Sequence, residues 1–178
     1  MIHSTKVLHY VRCLVLFLLI AIFCPGFSSS ASAGETGDFT GTWIANGTRQ
    51  VLPFGKNRNF YTFKMTGHVN LKQAIGGELD FWSEIIGISD SKTGSQARCV
   101  WTDLGGRKLF LELKSDRMQS DELVMGKIVG GTGKFVNATG TLSFKWSSMS
   151  FYREGKATTI SGQTFDLKGS FQLGIVTE

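Results

Sequence analysis

The chain has 178 residues, 42% of them hydrophobic, and carries 19 basic against 14 acidic side chains. Its lysines and arginines form no run and no stripe, so a solvated surface of mixed charge explains them and nucleic-acid binding is not expected. With only three histidines, two of them within the first nine residues, a histidine-rich metal site is excluded.

The first element is an export signal. Met1 to Arg12 is mildly basic through Lys6 and Arg12, Cys13 to Cys24 is apolar, and Ala31-Ser32-Ala33 supplies the small-residue cleavage site. The apolar run of twelve residues falls short of the roughly 20 that span a bilayer, so no stable membrane span is expected after cleavage. Phe23 is too bulky to precede a lipidated cysteine at Cys24. The expected organisation is a signal peptide over 1–33 and one domain over 34–178, secreted or periplasmic, with a net charge of about +3. That domain keeps Cys99 alone of the three cysteines, in the strand-like setting Ala97-Arg98-Cys99-Val100-Trp101, where a small buried hydrophobe is the reading favoured over a nucleophile.

The remaining chain reads as strand after strand. Phe39 to Ala45 sets Phe39, Gly41, Trp43 and Ala45 against Asp38, Thr40 and Thr42. Arg49 to Phe54 is a second short candidate, followed by the loop Gly55 to Asn59. From Phe60 to Leu71, Tyr61, Phe63, Met65, Val69 and Leu71 oppose Thr62, Lys64, Thr66, His68 and Asn70, a strand with one wet face. Gly76-Gly77 turns the chain into Glu78 to Ile88. Gln96 to Asp103 and Lys108 to Lys114 then form a hairpin around Leu104-Gly105-Gly106. Glu122 to Val129, Gly140 to Trp146, Ala157 to Ile160 and Thr164 to Leu173 complete the series, with Ser161-Gly162 read as a turn before the last. In that last strand Phe165, Leu167, Phe171 and Leu173 alternate with Thr164, Asp166, Lys168, Ser170 and Gln172.

No stretch of this region places apolar residues at helical spacing. About eight short strands joined by Gly, Asn and Asp turns describe an all-β fold, and an antiparallel up-and-down barrel is favoured because closure removes unpaired edges. The interior of a barrel of about eight strands is filled by side chains or holds one small ligand.

The most specific stretch is Val129 to Trp146, where Gly130-Gly131-Thr132-Gly133-Lys134-Phe135 and Ala138-Thr139-Gly140 lead into the alternation of Leu142, Phe144 and Trp146. It resembles the G-G-T-G-x-F-x-x-A-x-G signature of the allene oxide cyclase and dirigent barrel families. The resemblance implies an eight-stranded, calycin-type barrel, often trimeric, whose lumen holds an apolar substrate and whose signature loop joins neighbouring strands. None of those families' acidic or basic residues maps onto a particular position of this chain. A phosphate cradle is excluded: Ile128 stands five before Gly133 where a P-loop needs glycine, Phe135 replaces its Ser or Thr, and Val136 replaces the third glycine of a dinucleotide fingerprint. No cofactor and no metal is expected.

Chemistry-bearing residues are few. His68 is read as a solvent-facing strand residue. Asp80, Trp82 and Glu84 share one face of a strand; turned inward they would pair two carboxylates beside an aromatic, and turned outward they are exterior charges, which is the favoured reading. Asp80, Glu84 and Arg98 are the catalytic candidates if the barrel is a cyclase- or dirigent-like isomerase. Phe63, Trp82, Trp101 and Trp146 are the aromatic candidates for contact with a ligand. The leading expectation is an exported barrel that binds or shelters a small apolar or aromatic molecule without catalysis. A lumen that steers a reaction, and a solid barrel acting as an interaction module, are the alternatives. A homo-oligomer is the one protein partner implied.

Overall fold

In the computed structural model the described residues are 35–116, 123–151 and 157–174, with the backbone alone for 148–151 and 157. Eight strands follow in chain order: β1 (Thr36–Pro53), β2 (Asn59–Gln73), β3 (Glu78–Asp90), β4 (Gly94–Asp103), β5 (Lys108–Ser115), β6 (Leu123–Gly131), β7 (Thr139–Phe151) and β8 (Ala157–Gln172). Each pairs antiparallel with the next, and β8 returns to β1, so the all-antiparallel barrel read from the sequence closes. The export signal read over 1–33 lies outside the described residues.

Period-two alternation builds this wall. On β2 the residues Met65, Val69 and Leu71 are buried while Lys64, His68 and Lys72 face solvent; on β5 Leu109, Leu111 and Leu113 point in. β3, whose two faces look alike in sequence, turns Phe81, Ser83 and Ile85 inward and leaves Trp82, Glu84 and Ile86 outside. The small, polar Ser83 is accommodated inside because its Oγ accepts the indole N–H of Trp43 at 2.8 Å.

Two boundaries differ from the sequence expectation. The candidates Phe39 to Ala45 and Arg49 to Phe54 are one strand, β1, and the segments on either side of Ser161-Gly162 are likewise one strand, β8. The glycines responsible are close approaches of backbone and ring, not turns. Ala45 pairs with Gly162 and Gly47 with Ile160, and the Trp146 ring lies over Gly162 where a side chain would stand. The second difference is a bulge. Leu167 pairs with Gly41 but Gln163 pairs with Ile44, so β8 carries an extra residue there, and Asp166 takes a φ of 54°. The extra residue reverses the strand's faces: Thr164 is 7% exposed and Phe165 45%, the opposite of the alternation expected for Thr164 to Leu173. Thr164 Oγ1 then accepts the Trp43 backbone N–H at 2.9 Å, a donor the bulge leaves beside the ladder.

The core is aromatic. Trp43 meets Trp101 edge-on at 5.4 Å, Phe144 at 5.4 Å and Trp146 at 6.0 Å, and Phe81 packs against Trp101 at 5.8 Å. The glycine signature closes one end of it. Between β6 and β7 the chain makes a 3-10 turn, Gly133–Phe135, and swings Phe135 into the core 5.9 Å from Phe81. Thr132 zips the loop to β5: its N–H donates to the Lys108 carbonyl at 2.8 Å, and its hydroxyl accepts the Lys108 N–H at 2.9 Å. Gly131 lies too close to Lys108 and Phe135 for a side chain, and Gly133 has a φ of 58°. The most specific motif in the sequence is thus a stopper, and the strand it feeds neighbours the one it leaves, as the resemblance implies.

At the opposite end Arg58, in the β1–β2 loop, clips to the last residue of β3, with Nε and Nη2 donating to the Asp90 carboxylate at 3.0 and 2.6 Å. This hydrogen bonding, with a further bond from the Lys92 backbone N–H, holds the Asp90 carboxyl below its ordinary range. A carboxyl depressed in the folded state contributes stability above its unfolded value of about 4 and loses it as the pH falls through the folded value. The urea midpoint of the protein is therefore expected to drop towards that of Asp90→Asn between about pH 5 and pH 2. Parallel pH profiles of the two proteins would refute the assignment.

Candidate functional site

The two halves of the interior are filled differently. Towards the glycine loop Phe81, Trp101 and Phe135 are buried; at the opposite end the inward-facing Tyr61, Phe63 and Trp146 are half-buried, and this less completely filled end is termed the cup. Glycines make room for its rings. The tip of Phe63 reaches the space over Gly87 on the neighbouring β3, and the Trp146 indole occupies the space over Gly162 on β8, where side chains would otherwise stand. Trp146 also touches Trp43 and Phe144, at 6.0 and 6.3 Å, and so joins the floor of the cup to the buried core.

Polar groups occupy its wall. Ser89 and Ser95, paired across β3 and β4, hydrogen-bond each other at 2.8 Å, and Thr158 stands buried on β8. Arg49 pairs with Phe63 on one side and with Thr158 on the other, which sets it on the inward face of β1. Its guanidinium lies 5.0 Å from the centre of the Tyr61 ring. The Arg49 Nε is buried without a hydrogen-bond acceptor. Such an orphan donor costs on the order of 1–3 kcal/mol unless something accepts from it.

The sequence candidates separate cleanly. Trp101 and Trp146 reach the interior and Phe63 lines the cup. Trp82 does not: it is 52% exposed on the outer wall, because alternation along β3 hands the inward positions to Phe81 and Ser83. Asp80 and Glu84 share that outer face, as favoured from the sequence. Arg98 is outside as well and pairs with Glu112 at 3.0 Å, so none of the three catalytic candidates enters the barrel. His68 is exposed on β2 beside Trp82. Cys99 is 2% exposed and burial pushes its thiol well up, which removes the thiolate a nucleophile needs. Among the described residues no group of three His, Cys, Asp or Glu side chains could hold a metal ion.

A shallow groove lies on the outer wall. His68, Asp80, Trp82, Glu84, Thr102 and Lys108 contribute to its lining, with a volume of about 540 Å³. It brings one aromatic, one imidazole and charges of both signs together on β2 to β5. Sequence reasoning missed Arg49, the one charge among the described residues of the cup. Its signal was parity: Trp43, Ala45, Gly47 and Arg49 share a face once β1 is read as unbroken.

No family model matches the chain, and no curated protein matches it. Among solved structures it is similar to a pterocarpan synthase dirigent protein, at 16% identity over 79% of this chain and 90% of that one, with a TM-score of 0.41.

Proposed function

We propose that the protein is an exported, non-catalytic barrel that binds a small aromatic or apolar molecule in the cup at the end away from the glycine loop. The carrying observation is the unequal filling of the interior. A solid barrel would bury Tyr61, Phe63 and Trp146 as completely as Trp43, Phe81 and Trp101, and it leaves them half-buried instead. The export half of the reading rests on the signal sequence over 1–33. Acid–base chemistry in the lumen has little support, since Asp80, Glu84 and Arg98 all face outward.

Native mass spectrometry of protein purified from its own host is expected to show a retained small molecule, and Asp80→Asn with Glu84→Gln is expected to retain it equally. The same double variant discriminates a second reading. The outer groove beside Trp82 has the aromatic surface and polar groups of a ligand site, and binding there would be weakened by the two amides. Loss of the bound mass in the double variant, with Phe63→Ala without effect, would move the site to the outer wall.

A further inference from the structure

We infer that the ligand of the cup is an aryl carboxylate, a monoanion whose charged end is held by the Arg49 guanidinium and whose ring lies on Phe63 and Trp146. The inference rests on the lumen reading above and adds a charge and a shape to it.

The described residues contain four arginines. Arg58, Arg98 and Arg107 each have a carboxylate partner, Asp90 at 2.6 Å, Glu112 at 3.0 Å and Asp103 at 2.8 Å. Arg49 has neither an ion pair nor a hydrogen bond, and its Nε is withdrawn from water. An arginine on the outer face of β1 would be solvated at no cost, whereas an inward one must be compensated. Among the described residues nothing within the cup accepts from its Nε. Tyr61 offers a ring face and no negative charge, and Ser89 and Ser95 are engaged with each other. Among the described residues Glu84, Asp90 and Glu112 sit at outward-facing strand positions, and Asp90 and Glu112 are paired with Arg58 and Arg98.

The cup therefore combines one fixed positive charge with a floor of aromatic rings. A guanidinium presents a planar fork of donors that matches the two oxygens of a carboxylate, and the fork includes the orphaned Nε. A phosphate dianion fits less well, because the inward positions around Arg49 supply no second cation among the described residues. The ring of the ligand follows from the floor: Trp146 and Phe63, held against backbone glycines, supply the aromatic surface that an aryl group packs on.

Titration of the purified protein with 2-naphthoate and with its neutral counterpart 2-naphthamide, followed by calorimetry, tests the charge separately from the ring. The naphthoate is expected to bind about tenfold or more tightly, the gain of one charge-assisted pairing. Arg49→Gln is expected to erase that preference and leave the amide's affinity unchanged, with Arg49→Lys in between. In the unaltered protein, raising NaCl should weaken the naphthoate alone, a readout that does not depend on the folding of any variant. Equal affinities for the two probes overturn the carboxylate assignment and leave the lumen reading standing, as does a preference that survives in Arg49→Gln. Tighter binding of 2-naphthyl phosphate overturns the choice of carboxylate. Binding of neither probe at millimolar concentration overturns the lumen reading and this inference together.

Discussion

Replacing Trp43 with alanine is expected to destabilise the barrel by about 3–5 kcal/mol, the cost of removing a large buried aromatic. Trp43 is 0% exposed and touches three other aromatic side chains, from β4 and β7, so its loss opens a cavity that no single neighbour can fill. It also leaves the Ser83 hydroxyl without the indole donor that explains its place inside the barrel. Trp43→Phe separates the two effects. It keeps most of the ring packing and drops the hydrogen bond, and should cost about 1–3 kcal/mol, the part assigned to the orphaned hydroxyl and the residual void. Ser83→Ala in that background should recover part of the loss, because it removes the group left unsatisfied. Urea denaturation of the four proteins gives the comparison. A Trp43→Ala midpoint near that of the unaltered protein would mean that the aromatic cluster is not the core that holds the strands together.

Much of this fold was legible because a barrel wall has one dry and one wet side. β2 and β5 show their inward residues by alternation alone, and the glycine pairs at 76–77 and 105–106 mark real turns, with Gly76 and Gly77 at φ of 95° and 102°. What alternation cannot distinguish is a glycine that ends a strand from one that lets another group come close. Gly47 and Gly162 belong to the second kind, and reading them as breaks cut β1 and β8 in two. A bulge is equally silent: the extra residue at Asp166 changes which face Thr164 and Phe165 occupy, and nothing in the local pattern announces it.

The candidate site suffered from the same ambiguity. Carboxylates flanking a tryptophan look like chemistry in a linear sequence, yet Asp80, Trp82 and Glu84 share the outer wall because β3 must bury Phe81 and Ile85. Arg49 looked like the first residue of an unremarkable strand. Its meaning depends on the unbroken run from Trp43, and on which arginines have carboxylate partners, which is a property of tertiary structure. The glycine signature, by contrast, does not touch the cup. It stoppers one end with Phe135 and leaves the other end the less completely filled one.

Substituting alanine for Gly47 should cost about 3 kcal/mol or more, at the upper end of the range for overpacking, because the added methyl has nowhere to go. A Cβ at Gly47 would collide with the Lys64 carbonyl oxygen and the Met65 Cα, both backbone atoms of the paired strand β2. Side chains yield to such a clash by changing rotamer, whereas backbone in the middle of a closed barrel yields only by shifting the ladder. Gly55 provides the control. It has a φ of 83° and nothing within 4 Å of its Cβ position, so alanine there carries backbone strain without collision and should cost about 1–2 kcal/mol. Under the carboxylate proposal the contrast extends to ligand binding, since Gly47 lies two residues before Arg49 on the same inward face of β1. A ladder displaced at Gly47 moves the guanidinium, and Gly47→Ala protein that still folds is expected to lose its preference for 2-naphthoate over 2-naphthamide while Gly55→Ala keeps it. Equal stability of the two variants by urea denaturation would show that β1 and β2 are not held together as closely as this packing requires.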